Sequence, residues 1–330
     1  MGGLVRKFLS LALVAMFVSG CTRVANQPAK NSSNRPTDSP IKVVATVGMV
    51  ADLVREVGGE FVEVEQICGT GVDPHLYKAT RDDVRTLGSA DVVFYCGLML
   101  EGKMTDTLVK LARSRPVIAV TEAVDPSVLL EPDELAGHYD PHVWMDVAAW
   151  SNCVAVVESQ LVELDSEHAD NYHQNAKSLV QRLDALHQYG QKVIGSIPED
   201  RRVLVTSHDA FNYLGRAYGL DVQGVQGIST DSEAGLQRVN ELVDMLVAKR
   251  VQSVFVESSV PRKSIEALVE GARAKGHTIS IGGELFSDAM GADGSYEGTY
   301  IGMLDHNLTT IALSLGGQAP DRGLNEQLSH

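Results

Sequence analysis

Asp-Pro-His occurs twice in this chain, at Asp73–His75 inside GTGVDPHLYKAT and at Asp140–His142 inside GHYDPHVWMD. Proline locks its own φ and pushes the residue before it into extended backbone, so a histidine behind it starts from a restricted stub. Less entropy is then lost when the imidazole is fixed. Asp73 and Asp140 can also hydrogen-bond locally, as aspartates do in turns. Two further residues have comparable settings: His208 in VLVTSHDAF and Asp288 in GGELFSDAMG. Preorganised imidazoles with a carboxylate are the donors of a transition-metal site. A lone histidine is more often a surface or hydrogen-bonded residue, and His168, His173, His187, His277, His306 and His330 have no motif context. His138 adjoins the second Asp-Pro-His and is a candidate visiting fifth ligand.

Elements that could position these four residues follow from the hydrophobic pattern. Short β runs alternate with amphipathic helices from Ile41 onward, the signature of an α/β protein with parallel sheets. The strand candidates are 41–46, 61–67, 91–96 and 116–121 in the first half, and 202–207, 221–226, 252–257 and 277–282 in the second. Between the halves, Ala169, Tyr172, Ala176, Leu179, Leu183, Leu186 and Val193 recur at helical spacing, which predicts one long helix ending near Pro198. The expected fold is therefore α/β with two lobes, each a four-stranded mainly parallel sheet with flanking helices, joined by one long rigid helix. In open α/β sheets ligands bind beyond the carboxyl ends of the strands. His75 follows the second strand, the loop after the fourth leads to His142, His208 follows the fifth and Asp288 the eighth. All four then face one interlobe cleft. Helix starts are signalled at Thr80-Arg81-Asp82-Asp83, which has capping-box form, and at Asp146 before Val147.

The ends of the chain carry other signals. Arg6 and Lys7 precede the apolar run Phe8–Val18, which is too short to span a bilayer and has the layout of a secretory leader. Val18-Ser19-Gly20-Cys21 resembles the lipobox of bacterial lipoproteins, which implies cleavage before Cys21 and its acylation. Residues 22–40 are polar, carry three prolines and lack apolar periodicity, so they read as a flexible tether reaching roughly 60 Å. The expected organisation is a leader at 1–20, acylated Cys and tether at 21–40, an N-terminal lobe at 41–164, a linking helix at 165–197 and a C-terminal lobe at 198–330. The net charge of −15 disfavours nucleic acid as a partner. Cys68, Cys96 and Cys153 lack CxxC spacing and read as buried free thiols.

Long stretches in this order resemble the TroA/ZnuA-like solute-binding proteins of zinc, manganese and iron ABC transporters. They are GVDPHLYKATRDDVRTLGSADVVFYCGLMLEGKM, DPHVWMD, SHDAFNYLGRAYGL, VFVESSV and ELFSDAMG, and the likeness runs from about Ile41 to Leu315. The resemblance implies two four-stranded lobes on one rigid helix and carries the metal-ligand positions to His75, His142, His208 and Asp288. Members favouring manganese often have glutamate where this chain has His208. Zinc-dedicated members often carry a long histidine-rich loop where this chain has only EPDELAGHYDPH. The resemblance also implies one Zn2+ or Mn2+ as cargo, an ABC permease as partner and a site outside the cytoplasm. A lipid-anchored monomer is the expected form.

Two other functions compete with that reading. A metal-dependent hydrolase would need an open coordination position and a nearby base. Glu257 and Glu284 follow strands and are the candidates for it, against a structural or hydrogen-bonding role for each, and no HExxH or nucleophile elbow is present. A surface adhesin is the third reading, with no specific sequence support. For the metal site, histidine must be neutral to bind and ordinarily has a pKa of about 6.5, so affinity is expected to fall between about pH 7 and 5.

Overall fold

The computed structural model describes residues 39–132 and 137–329. The first half is a parallel sheet of β1 (Ile41–Ala45), β2 (Val62–Gln66), β3 (Val92–Tyr95) and β4 (Val117–Ala119), in the order β2-β1-β3-β4. Val43, Val44, Val92, Val93 and Phe94 are all buried, as expected of parallel strands covered on both faces. Parallel neighbours require crossovers. These are α1 (Gly48–Gly58), α2 (Arg81–Ser89) and α3 (Thr105–Leu111). Thr80 caps α2 in a full capping box with Asp83, and the Asp146 carboxylate accepts the N–H groups of Ala148 and Ala149 at the start of α4 (Val147–Trp150).

After α5 (Cys153–Leu164), the predicted linking helix is α6, Ala169–Gly195. Its buried stripe contains Tyr172, Ala176, Leu179, Leu183, Leu186 and Val193. One stretch of this helix packs on α1 and α5 of the first half, and it also packs on α7 (Asn212–Tyr218) and α10 (Tyr300–Ser314) of the second. At Gly190 a Cβ would lie 2.7 Å from the Tyr218 ring; only glycine lets α7 approach this closely. α6 is thus a wall shared by both halves.

The second half contains β5 (Val203–Thr206), β6 (Asp221–Gly224), β7 (Ser253–Glu257) and β8 (Ser280–Leu285), with α8 (Leu236–Ala248) and α9 (Lys263–Ala274) between them. Its four strands form two parallel hydrogen-bonded pairs, β5-β6 and β7-β8, with β5 lying against β7. At the carboxyl end of that seam, the Glu257 side chain rather than a strand carbonyl takes the His208 N–H, at 2.9 Å. A separate apolar core, including Val205, Val254, Leu246, Ile265 and Leu268, holds these strands to α8 and α9. β8 begins three residues later than the pattern predicts and runs through Gly282 and Gly283. A Cβ at Gly282 would lie 2.9 Å from both Phe255 Cε1 and Ser314 Cβ. These two glycines admit α10 against the sheet. Cys68, Cys96 and Cys153 are buried free thiols.

Candidate metal centre

All four residues singled out in the sequence lie together beyond the strand ends. His75, His142, His208 and Asp288 each place a donor atom within 4.8 Å of the others, and all four side chains are buried. Each position has its own support. The Asp73 carboxylate accepts the His75 backbone N–H at 2.8 Å, and Asp140 does the same for His142 at 2.9 Å. These are the local turns that Asp-Pro-His suggests. Asp140 Oδ1 also lies 2.8 Å from His142 Nδ1, and Glu257 Oε2 lies 2.5 Å from His208 Nδ1. The loop bearing Asp288 is clipped by the buried Asn307 of α10, which accepts from the Phe286 N–H at 2.9 Å and donates to its carbonyl at 2.7 Å. Trp144 Nε1 donates to the Ser287 carbonyl at 3.0 Å, tying the His142 loop to the Asp288 loop.

A carboxylate facing Nδ1 fixes a neutral imidazole as the Nδ1–H tautomer and leaves Nε2 free as a lone-pair donor. The Nε2 atoms do point inward. His142 Nε2 lies 3.3 Å from Asp288 Oδ1 and 3.3 Å from His75 Nε2; His208 Nε2 lies 3.2 Å from Asp288 Oδ2; His75 Nε2 lies 4.0 Å from Asp288 Oδ1. Tetrahedral donors at about 2.0–2.1 Å from a metal stand about 3.3 Å apart, close to three of these four separations. Among the described residues, neither oxygen of Asp288 nor Nε2 of His208 has a hydrogen-bond partner of acceptable geometry, although all three atoms are buried. Their short separations are convergence on a common point rather than hydrogen bonds with one another. Buried polar atoms left this way normally have an ion, water or ligand to satisfy them.

Electrostatics divides the imidazoles. Burial pushes His75 down to about 4. Burial also opposes charge on His142, but Asp140 and then Asp288 outweigh it and raise its pKa to about 9. His208 is buried too, yet Glu257 and Asp288 hold it well above its ordinary value. Burial of Asp288 is in turn outweighed by His208, His142 and His75, which keep its carboxyl well below the ordinary range. All three rings thus depart from the ordinary value of about 6.5, two upward because of their carboxylate partners and His75 downward because of burial.

The remaining candidates separate cleanly. Glu257 is buried behind His208 as a hydrogen-bonding support, and Glu284 is exposed on β8. His138 is exposed and stands at a cavity of about 160 Å³ over His75, outside the four-residue cluster. Sequence reasoning missed Trp144, Asn307 and Tyr213, whose hydroxyl donates to the Asp140 carbonyl at 2.8 Å. An asparagine inside the apolar run of α10 was the available signal for Asn307.

The family profile described as ZnuA, zinc-uptake complex component A, periplasmic, matches residues 43–313. The chain belongs to this ZnuA family. It is similar to the manganese-binding lipoprotein MntA of Bacillus subtilis (strain 168), with 48% identity over 285 residues, covering 86% of this chain and 93% of MntA. It is also 45% identical over 287 residues to the zinc-binding protein TroA of Treponema pallidum (strain Nichols), covering 87% of this chain and 92% of TroA. The solved structure of the periplasmic zinc binding protein TroA from Treponema pallidum superposes with a TM-score of 0.82, covering 84% of this chain and 99% of that one. These matches establish the two-lobe fold of the ZnuA family. They support a solute-binding transporter component, not the hydrolase or the adhesin.

Proposed function

We propose that this chain captures one divalent transition metal, zinc or manganese, between His75, His142, His208 and Asp288, and delivers it to an ABC permease outside the cytoplasm. Each histidine binds through Nε2. The observation that carries this reading is the Asp288 carboxylate: fully buried, both oxygens without a hydrogen-bond partner among the described residues, and ringed by three Nε2 atoms. Residues 41–164 and 198–330 act as the two lobes and 165–197 as their link, in a monomer. The leader, Cys21 and the tether as far as residue 38 lie outside the described residues; lipoprotein relatives and the Val18–Cys21 sequence favour an acylated Cys21 as the membrane anchor. The test of function is elemental analysis of the protein purified without added metal, read beside the same measurement on Asp288→Ala. One equivalent of zinc or manganese in the former and none in the latter is expected. An equal metal content in both overturns the site.

The relatives are named for different metals, manganese for one and zinc for the other, so the donor set must argue the preference. Three imidazole nitrogens and one carboxylate favour zinc over manganese, as does the Irving–Williams order. Zinc therefore binds more tightly in vitro. Transport of manganese remains compatible with this, because metal availability and site geometry decide selectivity in cells.

A further inference from the structure

Resting on that function, we infer that Thr230 is a positioning residue: its hydroxyl latches the His75 loop across the cleft and slows release of the bound metal. Thr230 follows β6 in a segment without regular structure that runs past His208. Within it the Gln226 N–H donates to the Ser207 carbonyl at 2.9 Å, and the Gly227 carbonyl accepts the Asp209 N–H at 3.3 Å. One end of this strap is therefore fixed to both neighbours of His208. Ile228 is buried and holds its middle. At the other end, Thr230 Oγ1 donates to Asp73 Oδ2 at 2.5 Å, in the opposite half of the molecule. The second oxygen of the same carboxylate holds the His75 N–H. The strap thus joins His208 to His75 through a single aspartate.

His75 is the ligand on which such a latch acts most. His142 and His208 have carboxylates against Nδ1. Among the described residues none faces Nδ1 of His75, and its ring lines the cavity at the mouth of the site. Asp73 controls its backbone, and Thr230 controls Asp73. Lys103 and Asp231 also meet across the cleft at 3.0 Å, but their side chains are 39% and 47% exposed, and ion pairs so open to solvent contribute little. Thr230 is buried, and a hydroxyl on a carboxylate forms a charge-assisted hydrogen bond, roughly twice as strong as a neutral one. Removing such a bond from the closed arrangement shifts the closed-to-open ratio by a factor of about ten.

The test is zinc release from the full chain loaded with one equivalent, followed by stopped flow into excess chelator. Thr230→Val keeps the shape and removes the hydroxyl; about tenfold faster release is expected. Thr230→Ser keeps the hydroxyl and should release zinc within about twofold of the parent rate. Thermal melting of both metal-free variants, expected to stay cooperative and within a few degrees of the parent, shows that the fold is intact. Should Thr230→Val disturb the fold, Thr230→Ala supplies the same comparison with Thr230→Ser. Release by a folded Val or Ala variant at the parent rate overturns the latch, and so does equally fast release by Ser and Val, because the methyl rather than the hydroxyl would then matter. A parent chain that retains no zinc or manganese overturns the proposed function and the latch together; a parent that retains metal with unaltered release in the variants overturns the latch alone.

Discussion

His142 and His208 on one side, and His75 on the other, are three imidazoles of one site held in two ways. For His142 and His208 a single carboxylate takes both the backbone N–H and the Nδ1 position of the same residue, so chain and ring are fixed together. For His75 the carboxylate takes only the backbone. The same contrast sets their charge: His142 is raised to about 9 and His208 well above its ordinary value, whereas His75 falls to about 4. Without metal, neighbouring carboxylates bias His142 and His208 toward the protonated form, whereas burial biases His75, at the mouth, toward the neutral one. The site is best understood as a fixed floor of His142, His208 and Asp288 closed by a more lightly held third imidazole.

The largest effects test that division directly. Asp288→Ala should lower zinc affinity at least about a hundredfold, since it removes both a ligand and the buried negative charge that offsets the metal's. A ligand loss should exceed the roughly 10–100-fold typical of losing a supporting carboxylate. His142→Ala and His208→Ala should fall in the same class. His75→Ala should cost least of the four while still exceeding about tenfold. Competition titration against a zinc chelator measures all four, and a His75→Ala loss equal to that of Asp288→Ala would break the comparison. Next in size are the supports. Asp140→Asn and Glu257→Gln should each cost about 10–100-fold in zinc affinity, with the one-metal stoichiometry retained.

How far the sequence announces this site depends on which physical feature is asked of it. The four residues of the proposed site were legible as a group because their chemistry is local: proline stiffens the stub before a histidine, and Val-rich runs mark the strands whose ends carry the loops. The supports were only half legible. Glu257 and Glu284 both stand at strand ends and were candidates for the same roles. Only the packing reveals that β7 buries Glu257 behind His208 while Glu284 stays exposed on its partner strand. Contacts across the cleft, such as Trp144 to Ser287 or Thr230 to Asp73, join residues far apart in sequence and leave no periodic trace. The continuation of β8 through Gly283 to Leu285 was missed for the same reason, since the packing of its two glycines on α10 is not written in their neighbours in the chain.

An intermediate effect concerns pH, and two signs must be kept apart. In the metal-free protein, His142 has a pKa of about 9, above the unfolded value of about 6.5. It therefore contributes stability that is complete below about 6.5 and is lost as pH rises through 9. Metal binding has the opposite dependence, because the same proton must leave before Nε2 can coordinate. His208 acts in the same direction, whereas His75 is already neutral across this range. The rise in melting temperature produced by saturating zinc should therefore grow between pH 6 and pH 9. Calorimetric melts with and without zinc measure it, and a shift independent of pH would show that the supported imidazoles are neutral in the metal-free protein.

The smallest expected effect is a change of shape. If only His75 and its loop are lightly held, loading the site should rearrange the mouth and leave the body of the molecule in place. The helix α6 argues for this. It is a 27-residue element that packs on α1 and α5 of the first half and on α7 and α10 of the second. Rotating one half against the other would have to break that packing, because interiors packed to crystalline density shift between discrete arrangements rather than bending smoothly. Ties such as Tyr300 Oη to the Trp144 carbonyl at 2.7 Å and Tyr189 Oη to Thr309 Oγ1 at 2.6 Å would have to break with it. Small-angle scattering of the metal-free and zinc-loaded chain should give the same radius of gyration within error, while hydrogen exchange should slow on loading in residues 69–80. A marked compaction on loading would show that α6 bends and that His75 and His142 move as one lobe against His208 and Asp288.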